Sequence, residues 1–199
     1  MQGDHEGGPQ SSLAAGLAKG ALAGIVATFV LDRVDWFLYR REPEASRRRT
    51  AAVRPQGKDP AHVIATRASQ AFGGPDIPHG HPAGLAVHYA IGIAPAAMYG
   101  VLRERVPAVS AGAGLAFGAA VSVLEDEAIN PAFGFSAPPQ AYPWQAHARG
   151  FVSHLVYGLT TELVLRALDT HPRRRPGNVH WMDRPGPRPP AQWRGGPVI

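Results

Sequence analysis

Four stretches of the chain run apolar for about the thickness of a bilayer core, and polar or proline-broken segments separate them. Leu13 to Leu31 is interrupted only by Lys19, and Trp36, Tyr39, Arg40 and Arg41 follow it as the aromatic and basic trim of a membrane interface. Gly84 to Leu102 is apolar apart from His88 and carries Pro95. Val109 to Leu124 ends abruptly at Glu125-Asp126-Glu127, and Gly150 to Leu168 follows Trp144 and Arg149. The pattern predicts an all-α integral membrane bundle, with four transmembrane helices near residues 13–39, 84–103, 109–126 and 150–168. Trp36, Tyr39, Trp144 and Arg149 are its expected interface anchors.

Between the first two spans lies a loop, residues 40–82. Asp59-Pro60 offers an N-cap and a first helical position, and Gly73-Gly74-Pro75 a stop. An amphipathic helix at about residues 60–72 is expected, with Val63, Ile64, Ala68, Ala71 and Phe72 on one side, lying in the membrane interface. Residues 1–12 read as a disordered lead. Residues 169–199 hold seven prolines and six arginines and read as a disordered tail. The membrane domain is residues 13–168.

The spans look paired. Gly20, Gly24, Thr28 and Asp32 recur every fourth residue, as do Gly114, Gly118, Ser122 and Asp126. Gly84, His88 and Gly92 share that step with Gly150, His154 and Gly158. Two related helical hairpins follow, with Gly20, Gly24, Gly114 and Gly118 as close-packing positions. Helices one and three then run toward the side from which helices two and four start. Asp32, Asp126, His88 and His154 converge there, with Glu162 roughly 12 Å deeper than His154 at about 1.5 Å rise per residue. Of the three consecutive acids, at most one or two can face the bundle, and Asp126 continues the glycine ridge.

Ionisable residues inside a span are candidate functional groups, so His88, His154, Asp32, Asp126 and Glu162 form a candidate proton or cation cluster. A histidine beside carboxylates suits proton exchange or metal binding, and the metal, if any, is unknown. The bland reading is that these polar groups only pack helices. A haem between His88 and His154 is a third reading, with the acidic surroundings against it. No HExxH motif is present, and nothing supports an enzyme.

Composition agrees: only 18% of residues are charged, against 23 Gly and 20 Pro. The mean hydropathy of -0.14 leaves a soluble helical bundle as the competing class. The net charge of +5 resides in the loop and the tail, as in basic membrane flanks, and no nucleic-acid partner is expected. The bilayer is the expected partner, and a homo-oligomer stays open. Lys and Arg divide ten to ten between the two sides, so orientation rests on the long tail staying cytoplasmic.

The segments HYAIGIAPAAMYG, EDEAINPAFGF and YPWQAHARGFVSHLVYGLTTELVLR resemble the YagU family of small bacterial inner-membrane proteins. The likeness covers most of residues 13–168, and its most specific part runs from His154 to Tyr157 with Glu162 and Arg166 following. It implies a multi-pass protein of the bacterial inner membrane and brings no catalytic residues.

Overall fold

The computed structural model describes residues 9–169; the chain ahead of Pro9 and beyond Asp169 lies outside the described residues. Every regular element among them is helical, with no strand. Helix α1 (Pro9–Tyr39) starts with a proline, whose missing N–H costs nothing in a first turn, four residues earlier than the hydrophobic pattern suggested. The polar loop contains a second helix the pattern did not suggest, α2 (Glu44–Val53), then α3 (Pro60–Ala71). Helix α4 (Pro82–Arg105) is capped by His81, whose ring accepts the Ala83 N–H. After an irregular stretch come α5 (Leu115–Ser122), a π-helical turn (Val123–Ile129), a short α6 (Asn130–Ala132) and α7 (Trp144–Leu168).

Among the described residues three segments are long and apolar enough to cross a membrane: Leu13–Tyr39, Pro82–Arg105 and Ala108–Ala132. A third or less of the most apolar part of each is buried. Large apolar side chains such as Leu22, Phe29, Leu85, Met98 and Leu124 stand exposed on them. Such exposed apolar faces on long apolar helices suit lipid. Helix α7 differs in kind. It is equally long, but His147, Arg149, His154, Glu162 and Arg166 lower its hydropathy, and it buries Ser153, Tyr157, Thr161, Glu162 and Leu165. It is packed against both α1 and α5.

Small residues set the crossings. Antiparallel to α1, α4 passes so close that a Cβ on Gly20 would collide with the Ala96 and Ala97 backbone, and one on Gly24 with Ile93 and Ala96. In the α5–α7 pair, a Cβ on Gly118 would strike the His154 carbonyl, and one on Gly114 would strike Gly158. Tyr99, Phe117 and Tyr157 stack between the pairs, with Tyr99 and Phe117 rings 4.3 Å apart.

The third apolar segment is not one continuous helix. Ala111 is extended, and Gly112, Ala113 and Gly114 have φ of 62°, 56° and 89°. Irregular backbone at membrane depth needs protein against it, and Gly114 lies directly on Gly158 and Glu162 of α7.

The amphipathic face of α3 is also shifted from expectation. It buries Ala61, His62, Val63, Ala65 and Thr66 against the bundle, while Phe72 is 93% exposed. Polar contacts decide this. Buried Lys58 donates to Thr66 and pairs with Asp76, and Thr66 exchanges hydrogen bonds with the Ile77 backbone. Arg67 donates to the carbonyls of Phe133 and Gly134, tying α3 to the loop after α6.

Candidate functional site

At the end of the bundle where α1 finishes and α4 and α7 begin, the helices diverge around a cavity of about 610 Å³. Asp32, His88, Asp126 and His154 all line it. His88 Nε2 lies 2.8 Å from Asp32 Oδ1, and His154 Nδ1 lies 3.3 Å from Asp126 Oδ2. In each pair the acid ends a small-residue ridge, and the histidine stands about one turn into the helix it faces. His154 Nδ1 also lies 2.9 Å from the Gly150 carbonyl. A carbonyl can only accept, so the ring proton sits on Nδ1 and a neutral His154 keeps its Nε2 lone pair. A Cβ on Gly150 would crowd the Asp126 carboxylate, so this glycine makes room for the second pair.

The π-helical turn brings more than Asp126 to the cavity. Glu125, Asp126 and Glu127 all line it, against the expectation that at most two could. The wider i→i+5 turn spreads successive side chains over a smaller arc than an α-helix does. Glu127 accepts from His147 Nδ1 at 2.6 Å, while His147 Nε2 lies 3.0 Å from the Pro139 carbonyl.

Glu162 does not join this group. Its carboxylate takes the Tyr99 hydroxyl at 2.7 Å, Arg103 at 3.1 Å and Arg166 at 2.7 Å, around α4 and α7 well away from the cavity. At 1% exposure, it is a satisfied buried acid. Arg149 is likewise not an interface anchor. It is 8% exposed, donates to Asp35 at 2.8 Å, pairs with Glu42 and lies over the Tyr39 ring. The two carboxylates at the end of α1 draw it inward. Trp36 and Trp144 do stand exposed, at 57% and 72%.

Sequence reasoning missed the cluster at the cavity mouth. Asp59 caps α3 by accepting the His62 N–H at 3.1 Å, and it also accepts from His62 Nδ1 at 2.8 Å. His79 Nδ1 lies 3.3 Å from the same carboxylate. Burial opposes the Asp59 charge, but the hydrogen bonds from the His62 side chain and backbone, with the Arg54 charge beyond, hold its carboxyl below the ordinary value. Among the described residues this trio has the spacing of metal ligands. Its hydrogen bonding argues otherwise. The Gly80 N–H points at His62 Nε2 at 3.0 Å, which places the ring proton on Nδ1 against Asp59 and leaves no lone pair for an ion. The trio is a clasp that closes the loop over the start of α4, where a Cβ on Gly84 would overlap the His62 ring. Its sequence signal was the HGHP stretch at residues 79–82 following the Asp-Pro cap.

Residues 65–163 match the model of a family described as a protein of unknown function (DUF1440). The match, just under half the chain, includes His88, Asp126, His154 and Glu162 but not Asp32, Asp59 or His62. No curated protein and no solved structure matches the chain.

Proposed function

We propose that the chain is a multi-pass membrane protein of this DUF1440 family, of the YagU kind, that handles protons or a cation through its paired histidines and acids. The observation that carries the reading is that two histidine–aspartate contacts, His88–Asp32 and His154–Asp126, are set in one cavity. Each unit couples an imidazole to a carboxylate, so a proton can pass between them with little movement. In this reading α7 is the fourth crossing. Its buried polar residues Arg149, Ser153, Thr161 and Glu162 sit on a helix packed against α1 and α5, with Tyr99 and Arg103 of α4 on Glu162, which is how a bundle admits a helix too polar to face lipid. The close glycine contacts in both the α1–α4 and α5–α7 pairs support descent from a duplicated hairpin, and the bacterial inner membrane is the compartment this kinship implies. Glu162 and Arg149, each already paired on all sides, act as structural glue.

The test is proton flux in proteoliposomes loaded with a pH-sensitive dye. The His88→Ala, His154→Ala double variant should lose most of the flux of the natural chain, about tenfold or more if each unit matters by one pKa unit's worth of interaction, while still inserting. Unchanged flux in the double variant, or none in the natural chain, would leave the pairs as packing groups.

A further inference from the structure

We infer that the outer face of α1, toward its C-terminal end, is a docking site for an anionic phospholipid, with Arg33, Arg40 and Arg41 holding the phosphate. The inference rests on the membrane reading of α1 and is independent of the proton chemistry in the cavity.

The first argument is charge. This end of α1 has two faces. Asp32 and Asp35 line the cavity, whereas Arg33, Trp36, Phe37, Arg40 and Arg41 line an open cleft. At offsets of three, four, seven and eight from Arg33, the other four share one side of the helix with it. All three arginines are exposed. The acids near them are already claimed: Asp32 by His88, Asp35 and Glu42 by Arg149, and Glu44 by Arg48. Among the described residues no carboxylate pairs with Arg33, Arg40 or Arg41. Three neighbouring cations without a counter-charge suit an anion from outside the chain.

The second argument is how the arginines are held. The Arg33 guanidinium lies 5.0 Å from the centre of the Phe29 ring, and that of Arg41 lies 3.4 Å from the centre of Phe37. Arg41 Nη1 also donates to the Phe37 carbonyl at 3.2 Å. The rings position these heads and leave most of their N–H groups free to donate. A guanidinium fork meets two phosphate oxygens at once, which an ammonium cannot do. Arg33 starts about 10 Å deeper than Arg40 along the axis, at about 1.5 Å rise per residue, and a side chain of its length reaches outward to the same headgroup level.

The rest of the face selects the occupant. Leu22, Ile25 and Phe29 stand exposed and continue the same side of α1 away from the arginines. From Leu22 to Arg33 is about 16 Å at about 1.5 Å rise per residue, close to half of a hydrocarbon core of roughly 30 Å. An acyl chain laid along that stripe brings its phosphate level with the arginines. A soluble phosphate ester would use the arginines and leave the stripe bare. A second copy, in the same orientation across this face, would set arginine against arginine.

The experiment uses the full chain in phosphatidylcholine nanodiscs, with a small fluorophore on Val26→Cys beside the stripe or on Met98→Cys of α4, both exposed positions in a chain without cysteine. Phosphatidylglycerol and phosphatidylcholine, each with the same nitroxide-labelled acyl chain, are the quenchers. At Val26 phosphatidylglycerol should be preferred by about fivefold or more, one surface arginine's worth of attraction, and by under about twofold in Arg33→Gln, Arg41→Gln. At Met98 the two lipids should quench alike. Arg48→Gln, Arg49→Gln removes the same charge from α2 and should keep the preference at Val26. Undiminished quenching at Met98 in the arginine variants keeps a failure to insert from being read as loss of the site. Equal quenching by both lipids at Val26, the same loss in the Arg48, Arg49 variant, or displacement by soluble glycerol phosphate would each overturn the inference. No quenching by either lipid at either position would sink the membrane reading with it. Lipid preference without proton flux in any chain would support this inference and sink the proton reading alone.

Discussion

Asp59 shows how much one side chain can do at the rim of the bundle. It caps α3, orients His62 and holds His79, so its charge fastens the loop that closes over α4. Its carboxyl is held below the ordinary value of 3.8, so folding favours the ionised form. The sign follows from that. The stabilisation is fully present above pH 3.8 and is lost as pH falls further, through the lowered folded value. Hydrogen exchange should therefore show the His62 and Gly80 amides losing protection in that acid window. Asp59→Asn keeps a capping side chain but should abolish this acid limb. Asp59→Ala should also lose about 1 kcal/mol from the cap. Protection that is flat through the window in the natural chain would mean the clasp does not depend on the charge.

Among the elements, the helix pairs depend on backbone contact more than on side-chain volume. Gly118 rides on the His154 carbonyl, so a larger residue there must push apart the two helices that carry Asp126 and His154. Gly118→Val should destabilise by about 3 kcal/mol, the upper end of overpacking costs, and should disturb the second His–Asp pair with it. Gly16 offers the contrast. Its nearest neighbour is a Val101 side-chain methyl at 3.2 Å, which can rotate aside, so Gly16→Ala should stay within about 0.5 kcal/mol of neutral. Denaturation of both variants in the same detergent checks the difference. The broken backbone at Gly112–Gly114 belongs to the same logic: the chain leaves the helix where α7 is close enough to shield it.

For the molecule as a whole, the three long apolar segments and α7 each make a separate prediction of lipid exposure. The chain contains no cysteine, so single cysteines report cleanly. Leu22→Cys and Met98→Cys, on exposed faces of two apolar helices, should resist a membrane-impermeant maleimide in intact vesicles. Phe72→Cys, in the exposed turn after α3, should label at least about tenfold faster, as an aqueous site against one in the hydrocarbon core. Leu163→Cys decides the fourth crossing. Its side chain is half exposed on α7, and it should be shielded if that helix spans the membrane. Rapid labelling there would place α7 outside the lipid and leave three crossings.

The sequence by itself determined the helical class, the apolar segments and the small-residue spacing, because each is a local pattern repeated along one helix. It also brought Asp32 to His88 and Asp126 to His154, since an antiparallel hairpin puts the exit of one helix level with the entry of the next. Tertiary structure alone decided which polar residues stay in the cavity. Arg149 carries the signature of an interface anchor until Asp35 and Glu42, more than a hundred residues earlier, claim it. Glu162 passes for a member of the cluster until Arg103 and Tyr99 arrive from another helix. The width of the π-helical turn that exposes Glu125 is likewise invisible to a period of 3.6. In each case the deciding partner is distant in sequence or the local geometry departs from the regular helix, and patterns within a single segment carry neither.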